Sequence, residues 1–255
     1  MSDTVNTPSL IDALLDSLDD GPVREVRVGA HWTAVVIHSA GMVRCGLAST
    51  LREQHPHHTS GPSVRDAGQL VQRSGLELAQ LVRSERSMEV AIGMAAINAL
   101  LPPAPEAWVD GNAEEVLARD GAGKRVALVG HFPFVASLRQ RVATLWVLEL
   151  QPQGDDLPAE AAAEVVPQAD VLAISGTTLM NHTFSDLLAL RRPDARVMVL
   201  GPSTPLSPIL FEYGVTFLSG SVVINVDAVL RAVSQGANFR QLHAAGVRLV
   251  TMQQP

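Results

Sequence analysis

Residues 125–150 read RVALVGHFPFVASLRQRVATLWVLEL, two short apolar runs separated by an amphipathic segment. Both apolar runs have the length and the aliphatic, β-branched composition of buried strands. The segment between them, residues 134–141, is long enough for one short helix. A strand, a helix and a second strand in this order predict two parallel strands joined by a right-handed crossover.

The same alternation continues through three further apolar runs. They read DVLAISG (170–176), RVMVLG (196–201) and VTFLSG (215–220), and helices are expected at 159–166, 179–190, 207–213 and 227–235. Parallel crossovers place helices on both faces of a sheet. From about Lys124 onward, the sequence therefore predicts an α/β fold, a Rossmann-like doubly wound parallel sheet of five strands.

A proline cluster, LPPAP at 101–105, separates this region from the preceding one. Because proline ends helices, we predict one domain over residues 1–105 and a Rossmann-like domain over residues 106–255. The first domain is expected to be a smaller α+β unit. Its predicted antiparallel strands are at 26–28, 33–37 and 42–47, and its predicted helices are at 76–82 and 88–101.

Composition and charge narrow the classes of function. Hydrophobic residues make up 47% of the chain and charged residues 18%, which is typical of a well-buried globular protein. The formal net charge is -7 and no basic stripe is present, so nucleic acid is not an expected partner. No apolar run is long enough to predict a membrane span. Cys45 is the single cysteine and the acidic N-terminus lacks a secretory signal, so we expect a cytoplasmic location.

The loops that follow the predicted strands carry the candidate binding site. Ligands of open parallel sheets bind outside the carboxyl ends of the strands, where glycines admit a close approach and helix starts offer hydroxyls and amides. The candidate ligand-binding residues are Gly130, His131, Phe132, Pro133, Glu149, Gly176, Thr177, Thr178, Asn181, Gly201, Pro202, Ser203 and Thr204. Helix capping and turn formation would also explain the serines and threonines.

The loop after the first predicted strand disfavours a dinucleotide. A dinucleotide-binding fold has G-x-G-x-x-G here, whereas this chain has GHFPFV at 130–135, without the second and third glycines. Pro133 also lacks the amide that a pyrophosphate would use. Glu149 lies about twenty residues after Gly130, where a ribose-binding acid would be. That acid could equally accept a loop amide, or bind a metal or a cationic ligand.

His131 and Glu149 are the candidate metal ligands, because a mixed nitrogen and oxygen set suits a borderline divalent cation. No HxxxH, CxxC or carboxylate cluster fixes a metal site in the sequence. His55, His57 and His58 form the densest histidine cluster, in a proline-containing loop that is typical of solvated surface. No Ser-His-Asp order or G-x-S-x-G elbow indicates a hydrolase.

The sequence resembles the "putative heavy-metal chelation" family over nearly the whole chain. In the second half the resemblance is carried by GHFPF, ADVLAISGTTLMNHTFSDLL and VMVLGPSTPLSPILFEYGVTFLSGSVV, and in the first half by RVGAHWTAVVI, GLASTL and SMEVAIGMAAINALL. The resemblance implies a C-terminal Rossmann-like domain and an N-terminal domain similar to that of enolase. It also implies a site at the junction of the two domains.

Three functions are compatible with these observations. The first is binding of a small organic ligand or a metal chelate in an interdomain cleft, with Glu149 and His131 as polar anchors, for heavy-metal chelation or handling. The second is an enzyme with a nucleoside cofactor, in which Glu149 binds the ribose and the loop 176–178 lies near the substrate. The third is a non-catalytic homo-oligomeric scaffold. The sequence leaves open whether any reaction is catalysed.

Overall fold

The computed structural model describes residues 9–51, 61–109 and 112–255. The first part of the chain forms α1 (Leu10–Asp16), β1 (Val23–Val28), β2 (Trp32–Ser39), β3 (Met42–Ser49), α2 (Gly75–Ala79) and α3 (Ser87–Leu100). The second part forms β4 (Trp108–Val109), α4 (Ala113–Asp120), β5 (Arg125–Val129), α5 (Val135–Arg139), β6 (Thr144–Glu149), β7 (Leu157–Pro158), α6 (Ala162–Val165), β8 (Val171–Ser175), α7 (Phe184–Ala189), β9 (Arg196–Leu200), α8 (Ile209–Glu212), β10 (Phe217–Val223), α9 (Val226–Ser234), α10 (Phe239–Ala245) and β11 (Val247–Gln253).

Strands β1, β2 and β3 form an antiparallel sheet in that order. Ala40 and Gly41 join β2 to β3 with φ angles of 48° and 77°, the positive values that a tight two-residue hairpin requires. Helix α3 packs on one face of this sheet, and α9 and α10 pack on the other. Strand β2 is therefore buried on both faces, which explains why WTAVVI is an unbroken run of buried residues.

The larger sheet has eight strands in the order β4-β11-β10-β9-β8-β5-β6-β7. Strands β10, β9, β8, β5 and β6 are mutually parallel, which confirms the predicted five-strand core of an α/β fold. Strand β7 adds a short parallel pair at one edge, and β11 and β4 extend the other edge in antiparallel pairs. These three edge strands were not predicted.

Both faces of the larger sheet are covered, as a doubly wound fold requires. Alternate residues of each central strand point to opposite faces, so that Val126 and Leu128 belong to one core cluster and Ala127 to the other. Helices α4 and α5 cover the first face, and α6, α7 and α8 cover the second. The cluster that contains Ala127 and the residues under α6, α7 and α8 also contains the buried residues of α3. One apolar core therefore connects the two sheets.

The predicted helix at 179–190 is wrong in its first half. Residues Gly176–Leu179 form a 3-10 turn, and α7 begins only at Phe184. The Oδ1 atom of Asn181 accepts hydrogen bonds from the hydroxyl (2.8 Å) and the amide (3.3 Å) of Thr183, and His182 has a φ of 61°. This local side-chain turn competes with helix formation and breaks the segment in two.

The strands of the smaller sheet all precede the proline cluster at 101–105, and the strands of the larger sheet all follow it. The domain boundary at 105 stays a prediction. Helix α9, expected after the last parallel strand, packs on the smaller sheet rather than the larger one. His55, His57 and His58 lie outside the described residues. In the described ranges, no helix combines the length and the apolar character needed to cross a membrane.

Candidate functional site

The carboxyl ends of the central parallel strands meet at two glycines and one aromatic ring. Gly130 follows β5 and Gly201 follows β9, with φ angles of 105° and 106° that strongly favour glycine. A Cβ atom on Gly130 would lie 3.1 Å from the ring of Phe132, and one on Gly201 would lie 3.7 Å from it. Phe132 therefore lies across the strand ends, at the place where an open parallel sheet receives its ligand.

The strand-end cleft is a cavity of about 360 Å³ beside Gly130, with mainly apolar walls into which several polar side chains are set. Its walls come from the ends of β5, β6 and β8, from the start of α7 and from the segment before α6. The polar lining residues are Glu149, Glu160, Ser175, Thr177, Thr178, Asn181, Thr183 and Asp186. Among the residues that the structure describes, no lysine, arginine or histidine lines the cleft, so its charge is negative.

Glu149 is held by the backbone of the loops around it. Its Oε1 accepts the amide of His131 at 2.7 Å, and its Oε2 accepts the amide of Leu150 at 3.0 Å. The half-buried acid at the end of β6 is thus satisfied by two loop amides, one of the alternatives that the sequence allowed. The carboxylate still lines the strand-end cleft, where its remaining lone pairs can accept a ligand.

His131 points to the other side of Glu149, into a smaller pocket of about 330 Å³. Its Nδ1 lies 2.8 Å from Oδ2 of Asp156, whose side chain is 2% exposed. Asp156 also accepts the amide of Gln153 at 3.2 Å. In the tautomer in which Nδ1 donates to this carboxylate, Nε2 can act as a metal ligand, the arrangement common among metal-binding histidines. Sequence reasoning missed Asp156, since nothing in GDDLP distinguishes it from Asp155.

The two threonines after β8 have different surroundings. Thr178 is buried and donates its hydroxyl to the carbonyl of Ser175 at 2.7 Å, so turn formation accounts for it. Thr177 shares a 2.8 Å hydrogen bond with the hydroxyl of Ser175 and lines the strand-end cleft. Asn181 is exposed at the same cleft although its Oδ1 is bonded to Thr183.

The loop 201–204 mainly joins the two parts of the chain. Ser203 is buried, and its Oγ accepts the amide of Ser49 on β3 at 2.9 Å. Its carbonyl accepts Nδ2 of Asn98 on α3 at 3.2 Å. Thr204 is also buried and packs so closely on Gly176 that a Cβ there would lie 2.6 Å from the threonine hydroxyl. Neither Ser203 nor Thr204 lines the strand-end cleft.

The thirteen candidate residues therefore divide between several places. Those that line the strand-end cleft are Gly130, Glu149, Thr177, Thr178 and Asn181. Those that line a separate apolar pocket are Phe132, Pro133, Gly201 and Pro202. His131 lies in the small pocket behind Glu149, while Gly176, Ser203 and Thr204 are buried between loops. Glu160 and Asp186, which sequence reasoning missed, enter the strand-end cleft from neighbouring helical segments.

A wider cleft of about 580 Å³ adjoins the strand-end cleft and shares Thr178 and Asn181 with it. Its walls include the start of α1 and residues 83–87 from the first part of the chain, and residues 178–185 from the second part. An ion pair between Arg83 and Asp12 closes one wall. The wider cleft therefore places side chains of the first part of the chain near Thr178 and Asn181.

The remaining candidates for metal or redox chemistry do not form a cluster. In the part of the chain that the structure describes, no group of three or more His, Cys, Asp and Glu side chains is arranged to hold a metal ion. Burial, with a smaller contribution from Glu25, raises the pKa of the Cys45 thiol to about 12. Because the thiolate is the reactive form, Cys45 is unreactive at neutral pH.

Comparison with known proteins relates the chain to proteins of unassigned activity. A family model described as "putative heavy-metal chelation" matches residues 112–252, and a second model with the same description matches residues 11–101. An uncharacterized protein of Methanocaldococcus jannaschii is 29% identical over an alignment of 229 residues, and the match covers 86% of each chain.

Two solved structures superpose on nearly the whole chain, each with a TM-score of 0.79. Both are described as proteins of unknown function from the DUF364 family. The one from Desulfitobacterium hafniense is 28% identical, and the match covers 96% of this chain and 98% of that one. The one from Pyrococcus horikoshii has the same coverage at 21% identity, and supports the fold alone.

Proposed function

Since the chain belongs to the family described as "putative heavy-metal chelation", we propose that it binds a divalent metal together with a small organic chelator in the strand-end cleft. The observation that carries this proposal is the lining of that cleft. Three acidic residues, Glu149, Glu160 and Asp186, line this cavity, and none of its described lining residues is basic. Such a cavity attracts cations and repels anions.

The small number of protein ligands favours a metal that arrives with its chelator. Divalent transition metals take four to six ligands, and among the described residues no three His, Cys, Asp or Glu side chains, the three acids of the cleft included, are arranged to hold one ion. Glu149 lines both the strand-end cleft and the pocket of His131, so an ion beside this carboxylate could take an oxygen from Glu149 and a nitrogen from His131. The organic molecule would supply the other ligands and would fill the rest of the cleft.

The size of the cleft suits a small organic molecule. Pockets for small ligands have volumes of about 300 to 1,000 Å³, and the strand-end cleft has about 360 Å³. Thr177 and Asn181 give neutral oxygen and amide groups that can orient the chelator. The adjoining wider cleft would allow a longer chelator to reach residues 83–87 of the first part of the chain.

A nucleoside cofactor is less well supported by the same cleft. Phosphate groups would be repelled by the three carboxylates of the cleft. Phe132 also occupies the space over the strand ends where a pyrophosphate would lie. No observation in the described residues favours the enzyme with a nucleoside cofactor over the metal-chelator protein.

Thermal unfolding with charged metal complexes tests the proposal directly. The 1:1 complex of Ni²⁺ with histidine is cationic, whereas the 1:1 complex with citrate is anionic. We expect the histidine complex to raise Tm, because a ligand that binds only the native state stabilises it by about 2.7 kcal/mol at 100 times Kd, or about 5–10 °C for a domain of this size. The citrate complex and free Ni²⁺ should raise Tm much less.

Two variants and one control locate the binding. Asp186→Asn and Glu160→Gln should each weaken the Ni²⁺–histidine complex, because both remove negative charge from exposed positions of the cleft. Glu212→Gln is the matched control, since this exposed acid on α8 lines none of the cavities described above. Equal Tm shifts in all three variants, or no shift in the wild type with any complex, would refute the proposal.

A further inference from the structure

A second cavity opens on the other side of Phe132, and we name it the aromatic pocket. It has a volume of about 400 Å³ and lies between the loop after β5, the start of α4, the start of α10 and the ends of β9, β10 and β11. It shares no lining residue with the strand-end cleft. The residues used below are Phe132, Phe134, Phe239, Glu114 and Ser137.

Three phenyl rings line the aromatic pocket, and neighbouring rings hold each of them in place. Phe132 and Phe134 are stacked, with ring centroids 5.3 Å apart and an angle of 17° between the rings. The ring of Phe239 packs against the ring of Trp32, with a distance of 5.5 Å between the ring centroids. All three phenylalanine rings are half-buried, so part of each ring surface faces the open pocket. Exposed aromatic surface of this kind marks a binding site more often than it occurs by chance.

Of the described residues that line the aromatic pocket, Glu114 is the one with an ionisable side chain. It is half-buried in the first turn of α4, and in the described ranges its carboxylate makes no hydrogen bond or ion pair with another side chain. The neighbouring Glu115, by contrast, is engaged in the capping box with Asn112. The N-terminus of α4 stabilises the charged form of this carboxylate, and its oxygens are available to accept hydrogen bonds from a cation in the pocket.

We propose that the aromatic pocket binds an organic cation, an alkylammonium or arylammonium group whose charge lies near Glu114 while its apolar body packs on the three phenyl rings. The negative faces of aromatic rings attract ammonium groups, and this attraction adds to that of the carboxylate. An anion would be repelled by the carboxylate of Glu114 and by the negative faces of the rings. A bare metal ion would find one carboxylate, a few hydroxyl groups and mostly apolar walls, which is a poor set of ligands.

Calorimetric titration of the full chain with benzyltrimethylammonium chloride is the experiment. Benzyl alcohol and benzoate serve as neutral and anionic probes with the same ring. We expect the cation to bind at least tenfold more tightly than benzyl alcohol, and benzoate to bind least. Glu114→Gln should weaken the cation about tenfold and bring it close to the neutral probe, because the variant keeps the shape of the side chain and removes its charge.

Two further variants keep the result interpretable. Ser137→Trp, at an exposed position on α5, should fill the pocket and abolish binding without disturbing the core. Glu160→Gln removes an acid from the strand-end cleft and should leave binding of benzyltrimethylammonium unchanged. Absence of binding to the wild type, equal affinity for Glu114→Gln, or loss of binding in Glu160→Gln would each overturn the proposal. None of these outcomes bears on the Ni²⁺–histidine experiment.

Discussion

The carboxylate of Glu149 and the backbone amide of His131 are joined by a hydrogen bond of 2.7 Å. The bond connects the end of β6 to the loop after β5, so one acid both shapes the strand-end loop and lines the cleft. A ligand bound beside Glu149 would therefore couple binding to stability at this residue. A substitution at Glu149 is expected to change both, in proportions that depend on the side chain introduced.

Glu149→Gln should reduce the free energy of unfolding by about 1–3 kcal/mol and weaken the metal complex. The glutamine oxygen can accept one of the two amides, from His131 or Leu150, while its amino group faces the other. Urea unfolding gives the first quantity, and calorimetry with Ni²⁺–histidine gives the second. Lost stability with unchanged binding would show that Glu149 is a structural acid only.

Asp156→Asn should loosen the ring of His131 and weaken metal binding about 10–100-fold, the range found when the carboxylate partner of a metal-binding histidine is removed. The asparagine can present an amino group to Nδ1, so both ring tautomers become accessible. Nitrogen-15 NMR of the imidazole ring measures the tautomer ratio. Asp155→Asn, at the exposed neighbouring position, is the control and should leave the ratio as in the wild type.

We expect the free energy of unfolding to depend on pH through the carboxyl of Glu89. Burial raises the pKa of this carboxyl, but hydrogen bonds from Arg65 and Ser84 outweigh burial and lower the pKa from 4.5 to about 2. Its Oε2 accepts Nη2 of Arg65 at 2.7 Å and the hydroxyl of Ser84 at 2.6 Å. Because the folded pKa is the lower one, the stabilisation is present above about pH 4.5 and is lost as the pH falls toward 2.

Acid unfolding of Glu89→Gln checks this expectation. The difference in free energy of unfolding between wild type and variant should shrink by at most about 3 kcal/mol between pH 5 and pH 2. Glu85→Gln, at an exposed position just before α3, should show no such change. A difference that stays constant across this range would mean that Glu89 is not held ionised by Arg65.

Ser203→Ala should lower stability by about 1–3 kcal/mol and leave Ni²⁺–histidine binding unchanged. The buried hydroxyl accepts the amide of Ser49, which would be left without an acceptor. Thermal and urea unfolding measure the loss, and calorimetry measures the binding. Weakened binding with wild-type stability would instead place Ser203 in contact with the ligand, as the sequence alone suggested.

NAD, NADP and FAD should bind weakly or not at all. Pro133 removes one amide from the strand-end loop, Phe132 covers the strand ends, and the adjoining cleft is acidic. Titration calorimetry with each dinucleotide is the measurement. Micromolar affinity that Glu149→Ala abolishes would favour the enzyme with a nucleoside cofactor.

The sequence alone determined the fold class, because each buried strand is a local apolar run and each crossover needs a helix of limited length. RVALV, TLWVLE and VLAIS could be assigned without knowledge of their partners. The alternation of strands and helices predicts only parallel strands joined by crossovers. It therefore did not predict β11, which pairs with β10 in antiparallel fashion. The break in the predicted helix at 179–190 was also not predicted, because the apolar periodicity of the segment gives no sign of the side-chain turn at Asn181.

Only the tertiary structure decided which strand-end residues share a cavity. Ser203 meets Ser49, 154 positions earlier in the chain, and Asp156 meets His131, 25 positions earlier. Such pairs depend on how the faces of sheets and helices pack, and local sequence patterns carry no information about packing over these separations. For the same reason, the sequence grouped Phe132 with Glu149 in one site, whereas the folded chain places the ring between two cavities of different chemistry.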